Sequence, residues 1–281
     1  MPDPTRDYLS LLLDQYWFAP PVALWRAIEL RTLSAESFPR PILDLGCGDG
    51  LIAQVLFASD PPIEVGFDPW LEQVRKVPAT GVYDRVQQAQ GAAMPYPSES
   101  FGSVLSNSVV EHIPDLDPVL AEAARVLRPG GRLFLTVPSD AFRRLLAGYR
   151  DRAAVGDVLG AEAYAKDIDA WLEHHRYPSP ADWSRMLDRV GMSLVRATYY
   201  VTPAAMTLWD RGNIAYGVRE TERFAPFRWL ASPRLRPLGF QSLVRRWITR
   251  SLSRRWRQTY AADVPQDGVG GGLLVVGEKA T

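Results

Sequence analysis

Apolar residues recur at helical spacing over residues 7–33, interrupted at Pro20 and Pro21, which predicts two short helices ahead of the first strand. From about residue 41 to 138 the pattern changes to short apolar runs alternating with helical stretches: PILDLG, GLIAQVLF, IEVGFD, LEQVRKV, SVLSNS, LAEAARVL and RLFLTVP. Such alternation predicts a parallel sheet covered by helices on both faces. Most of the strand runs end in polar residues or glycine, and those ends are where an open α/β sheet places its ligand.

After Pro138 the rhythm is lost for about fifty residues, in a polar, helical stretch containing His174, His175 and Tyr177. MSLVRATYYV at 192–201 and GGLLVVGEK at 271–279 read as two further strands, separated by about seventy residues, far more than a hairpin loop needs. The expected organisation is a helical cap over 1–35 and a core over 36–200 with an insertion at about 140–185. A basic, partly helical insertion over 201–270 and a last core strand and tail over 271–281 complete it.

Composition narrows the class. With 281 residues, 47% hydrophobic and 23% charged, the chain can bury a core and is neither disordered nor collagenous. Lys+Arg and Asp+Glu both total 32, so no global basic field points to nucleic acid. Cys47 is the single cysteine, which excludes an internal disulfide and a thiolate metal cluster and predicts a reducing, cytoplasmic setting. No window approaches about 18 uninterrupted apolar residues, so a spanning helix is not expected.

The strongest local signal is Asp44-Leu45-Gly46-Cys47-Gly48-Asp49-Gly50, after an apolar run and before a helical one. Alternate glycines at a strand-to-helix turn let the backbone approach a ligand and aim amides into its site. The run from Ile63 to Phe67 ends at Asp68, twenty-four positions after Asp44, where a carboxylate can accept two hydrogen bonds from a ribose diol. A tight turn and a solvated acid explain the same residues without a ligand, and a related glycine pattern serves dinucleotide enzymes.

ILDLGCGDG, VGFDPW, MPYPSESFGSVLSNSVVEHIPD and ARVLRPGGRLFLTVPS resemble, in order and spacing, the successive motifs of the class I S-adenosylmethionine-dependent methyltransferases. The resemblance covers about residues 40–140 and implies a doubly wound, mostly parallel seven-stranded, Rossmann-like sheet with an antiparallel last strand. It implies S-adenosyl-L-methionine as cofactor and S-adenosyl-L-homocysteine as product. Position by position, Gly46, Cys47 and Gly48 would pass the methionine part, Asp44 its amino group, and Asp68 with Pro69 the ribose. Gln90, Gly91 and Met94 would meet the adenine, and Asn107 and Ser108 the methyl end. Two departures stand out: Gln90 occupies a place where the family carries an acid, and Gly102 one where Asp is common. An amide oxygen still accepts the adenine amine.

Methyl transfer needs alignment more than acid catalysis, but a hydroxyl acceptor needs a base, and histidine suits that task. His112, in Val110-Glu111-His112-Ile113, matches a histidine beside the methyl donor in sugar O-methyltransferases with these motifs; packing against the cofactor is the competing role. His174 and His175 are readable as supporting, substrate-binding or surface residues. Adjacent histidines rarely converge on one ion, and no metal is expected.

Between Arg219 and Arg257 lie eleven arginines against Glu220 and Glu222. Phe240, Leu243, Val244, Trp247 and Ile248 fall on one helical face there, the pattern of a basic amphipathic helix. It fits an anionic membrane surface, with peripheral attachment at the inner face, or packing against the enzyme's own acidic surface; nucleic acid is the third choice. The expected function is O-methylation of a small-molecule, sugar-like or lipid-linked glycan acceptor. Alternatives are N- or C-methylation, a non-catalytic adaptor and an NAD(P)-linked oxidoreductase. The sequence leaves oligomeric state open.

Overall fold

The computed structural model describes residues 2–219, 229, 230, 232, 234 and 239–281. Among them, β1 (Ile42–Leu45), β2 (Ile63–Asp68), β3 (Tyr83–Gln88), β4 (Phe101–Asn107), β5 (Leu127–Pro138), β6 (Met192–Tyr200) and β7 (Gly272–Lys279) form one sheet ordered β3-β2-β1-β4-β5-β7-β6. Strands β1 to β5 pair in parallel, and β7 runs antiparallel to both β5 and β6. The alternating pattern predicts the parallel, helix-covered part of this sheet, and the resemblance implies its doubly wound, seven-stranded form with an antiparallel last strand.

Side chains alternate across the strands and build a core on each face. Val104 and Leu133 pack with α5 (Asp117–Val126) and α9 (Pro180–Asp188), while Leu105 and Phe134 pack on the side of α1 (Tyr8–Gln15) and α2 (Pro20–Leu33). Pro20 and Pro21 open α2 instead of interrupting it. A first-turn proline lacks only an N–H that the helix would leave unpaired, and its fixed φ is already helical. At Gly102 a Cβ would stand 2.7 Å from the carbonyl oxygens of both Pro39 and Arg40, so the crossing of 39–41 over β4 leaves no room for an Asp.

Over residues 138–188 the chain leaves the sheet for α6 (Phe142–Leu145), α7 (Ala147–Ala154), α8 (Val158–Leu172) and α9. Ser179 and Asp182 close a reciprocal capping box at the start of α9. Between β6 and β7 come α10 (Pro203–Ala215) and, as the next helix described, α11 (Gln241–Ala261). Of the Arg-rich stretch, Glu220, Glu222, Arg223, Arg228 and Arg236 lie outside the described residues.

The apolar face read from the sequence of α11 divides. Ile248, Leu252, Trp256 and Tyr260, four apart, are buried against the cap, whereas Leu243 and Trp247 point to solvent, 60% and 67% exposed. Two ion pairs to α1 fix this packing, Arg245 to Asp14 at 3.1 Å and Arg257 to Asp7 at 2.8 Å. Replacing Trp256 by Ala would leave a large void between α11 and the cap. We expect a loss of about 3–5 kcal/mol in denaturant unfolding with the sheet's circular dichroism retained.

Candidate functional site

Strand order reverses between β1 and β4, so the loops leaving their carboxyl ends diverge and open a cleft. Its volume is about 860 Å³. Beyond Leu45 the chain turns sharply, with Gly46 at φ 78° and Gly48 at φ 55°. The N–H groups of Gly46 and Cys47 both donate to the Phe67 carbonyl at 2.9 Å, which pins the turn to the end of β2. A Cβ on Gly46 would stand 2.6 Å from Val109, whereas one on Gly48 would meet nothing within 4 Å and faces open space. Burial pushes the Cys47 thiol pKa far up, so it is a packing residue and not a nucleophile.

Two carboxylates stand at this end of the cleft. Asp68 accepts the Gly48 N–H at 3.0 Å on one oxygen and the Trp70 N–H at 2.9 Å on the other. Each oxygen keeps a second lone pair for a ligand. Asp44 is buried, and its pKa is pushed up to about 6, first by loss of water, with the charge of Asp68 adding and a hydrogen bond from Tyr83 opposing. The Tyr83 hydroxyl donates to Asp44 Oδ2 at 2.5 Å. To arrive from β3 it must pass over β2, and it does so at Gly66, where a Cβ would clash with its ring at 2.7 Å.

The opposite wall is carried by the cap. Glu29 of α2 is fully buried yet accepts from Arg26 at 2.7 Å, Ser108 at 2.7 Å and Tyr200 at 3.0 Å. Burial acts to raise its pKa, but Arg26 and these hydrogen bonds outweigh it and hold the carboxyl below its usual range. Arg26 also donates to Asn107 Oδ1 at 3.4 Å, and Asn107 in turn donates to Thr136 Oγ1 at 2.7 Å. Ser108 sits at φ 50°, a left-handed conformation held by its bonds to Glu29 and Thr136.

Past Ser108, the 3-10 turn Val110–His112 brings Glu111 beneath the cleft and His112 into its wall. His112 Nδ1 lies 3.3 Å from the Glu173 carbonyl, which can only accept, so Nδ1 carries the proton and Nε2 keeps its lone pair. Burial lowers the His112 pKa, which leaves the ring neutral. His174 packs beside it, ring centroids 5.2 Å apart, and Nδ1 meets the Tyr177 hydroxyl at 3.1 Å. Tyr177 donates to Asp169 at 2.5 Å, and Asp169 pairs with Arg143. Burial, aided by His112 and His175, drives the His174 pKa down to about 3. Glu111 is buried with Oε2 unpartnered, and loss of water pushes its pKa up to about 8. Among the described residues, donor atoms of Glu111, His112 and His174 lie within 4.8 Å of one another. Residue spacing does not reveal this group, because His174 comes from the insertion. His175 is exposed; its N–H donates to the Glu111 carbonyl at 3.0 Å and ties the insertion to the loop.

Asp44, Gly46, Cys47, Gly48, Asp68, Pro69, Gln90, Gly91, Asn107, Ser108 and His112 all line the cleft. Met94 does not: its side chain is buried among Phe67 and Val119, and its backbone is bracketed by Glu122 and Arg125. The MPY stretch therefore supports the wall from behind. The sequence reading passed over Tyr16, Arg26, Trp70 and Tyr83. Arg26 with Glu29, a charged pair one turn apart in the mostly apolar first ten residues of α2, is the one signal that pointed there.

A methyltransferase-domain family model matches residues 43–135. Nocamycin O-methyltransferase of Saccharothrix syringae is 32% identical over 193 residues, which span 62% of this chain and 68% of that one. The chain belongs to the class I S-adenosylmethionine-dependent methyltransferases. With 27-O-demethylrifamycin SV methyltransferase of Amycolatopsis mediterranei the identity is 38% over 110 residues, 36% of this chain and 40% of that protein. A solved S-adenosylmethionine-dependent methyltransferase from Thermotoga maritima superposes with a TM-score of 0.55 over 96% of this chain and 99% of that one; at 15% identity the likeness is one of fold. The dinucleotide and adaptor alternatives are thereby set aside.

The residues present suit S-adenosylmethionine. The cradle is open at Gly48, where a side chain would intrude, and two carboxylates face a ligand that carries an ammonium and a diol. An ammonium held by Asp44 would require its ionised form, so affinity should then be level above about pH 7 and fall as pH drops through about 6, by up to tenfold per unit. Calorimetric titration with S-adenosylhomocysteine across pH reads this directly. Tyr83→Phe removes a bond that favours the carboxylate and should move the falling limb to higher pH.

Proposed function

We propose that this methyltransferase moves a methyl group to an oxygen of a small-molecule acceptor, with His112 as the base. The observation that carries the reading is the state of His112: a neutral ring in the cleft wall, its Nδ1–H anchored on Glu173 and its Nε2, 3.9 Å from Glu111 Oε1, keeping a lone pair that can accept a proton. The two relatives named above are by name O-methyltransferases of small molecules, which supports the same acceptor atom. A sugar-like hydroxyl within that class rests on the resemblance through His112 alone.

S-adenosylmethionine supplies an electrophilic methyl on a sulfonium when bound. The chain's own residues bind and align. Asp44 takes the amino group, Asp68 the ribose diol, and Gln90 the adenine amine, while Gly46 and Gly48 let the backbone close on the methionine part. Asn107 and Ser108, locked by Thr136 and Glu29, form a rigid floor at the transfer end.

One observation favours a second reading, assistance by a bound cation at Glu111, His112 and His174. His112 Nε2 and Glu111 Oε1 stand 3.9 Å apart, wider than the roughly 3.4 Å between ligands of a tetrahedral ion bonded at about 2.1 Å, so we favour the metal-free base. Turnover should survive dialysis against a chelator; loss of turnover restored by zinc or manganese would reverse that preference. His112→Ala should lower turnover by about 10²–10⁴-fold on a panel of hydroxylated acceptors with S-adenosylhomocysteine affinity kept. Asp68→Ala should instead weaken that affinity about 100-fold, two charge-assisted hydrogen bonds being lost.

A further inference from the structure

We propose that the solvent face of α11 docks on an anionic lipid bilayer. On this helix Arg246, Trp247, Arg250 and Arg254 stand three, four, seven and eleven positions after Leu243, and all five are exposed. They therefore form a single stripe along the side opposite the buried Ile248, Leu252, Trp256 and Tyr260. The helix carries six arginines and no acidic residue. Arg245 and Arg257 are spent on α1, whereas Arg246, Arg250 and Arg254 make no ion pair with any described residue.

The chemistry of the stripe selects the occupant. Three cations spaced by a turn, without an ion pair among the described residues, match a surface of negative charge, and an exposed Trp beside a Leu matches the headgroup boundary, where an indole buries its ring and keeps its N–H wet. A nucleic acid would use the arginines but gains nothing from Leu243. A second copy placed on this face by a twofold axis would set arginine against arginine.

Position adds a consequence. The Leu243–Trp247 end is anchored through Arg245 to Asp14, two residues before Tyr16, which lines the cleft. Docking by that end would hold this wall of the cleft near the bilayer, where an acceptor carried on a lipid could reach it. This last step rests on the small-molecule reading above; the docking itself does not.

Sedimentation of the full chain with phosphatidylcholine vesicles, with and without phosphatidylglycerol, tests the surface without any turnover. The expected result is at least ~10-fold more bound protein on the anionic vesicles, weakening with added salt. Arg246→Glu with Arg250→Glu and Arg254→Glu should abolish the difference, with thermal unfolding and S-adenosylhomocysteine affinity unchanged. Brominated lipid should quench tryptophan emission in the parent and much less in Trp247→Phe. Equal binding to both vesicle types, or a triple variant that still prefers the anionic ones, overturns the proposal. So does a sizing experiment in which Leu243→Asp dissolves a dimer, or tighter retention of the parent by single-stranded DNA than by anionic vesicles.

Discussion

Closure of the cleft depends on one buried charge. Glu29 has no access to water, and an ionised carboxylate there is tolerable only if donors replace its hydration. Arg26, Ser108 and Tyr200 supply them from α2, the loop after β4 and β6. The cap can therefore sit in only one place on the sheet. The same requirement holds Ser108 in a left-handed conformation and turns Arg26 toward Asn107 at the transfer end. An amphipathic helix packed by apolar contact alone would leave that geometry free to slide by a fraction of a turn.

The cleft is divided electrically along its length. At the β1–β2 end the carboxyl groups of Asp44 and Asp68 line the cleft, an arrangement that suits a cationic cofactor. At the other end the groups around the turn Val110–His112 are held neutral: Glu111 as an acid, His112 and His174 as free imidazoles. In each case loss of water is the main cause. A displacement at a sulfonium needs no strong charge at the attacking atom, and a neutral imidazole can accept the acceptor's proton without first losing its own. Burial favours the neutral form at both ends, and at Asp44 the hydrogen bond from Tyr83 works against it.

The glycine turn and Asp68 were legible in the sequence because their chemistry is local, fixed by strand ends and positive φ. Tyr83 was not. It lies on β3, an edge strand with polar, half-exposed positions that carry no apolar run, and its partner Asp44 is two strands away. The contact exists only because Gly66 is bare, a fact about three strands in register and not about any one of them. Met94 misled for the converse reason: a motif neighbour at the right spacing, it turns into the core while Gln90 and Gly91 line the cleft. His174 joins His112 through an insertion whose path the periodicity does not encode, and the apolar face of α11 was legible as a face but not as two.

The long excursion between β6 and β7 shows why the acceptor half of such a chain is hard to read. Closing a longer loop costs only about 0.6 kcal/mol for each doubling of its length, so the hairpin register tolerates large insertions. The register from Met192↔Lys279 to Tyr200↔Gly272 holds with one local irregularity despite everything placed between. Freed from the sheet, α11 answers to different constraints: its inner face must match the cap, its acids included, and its outer face need match only what lies outside the protein. The cleft and the outer face of α11 are therefore separate surfaces, with α1 packed between α11 and α2.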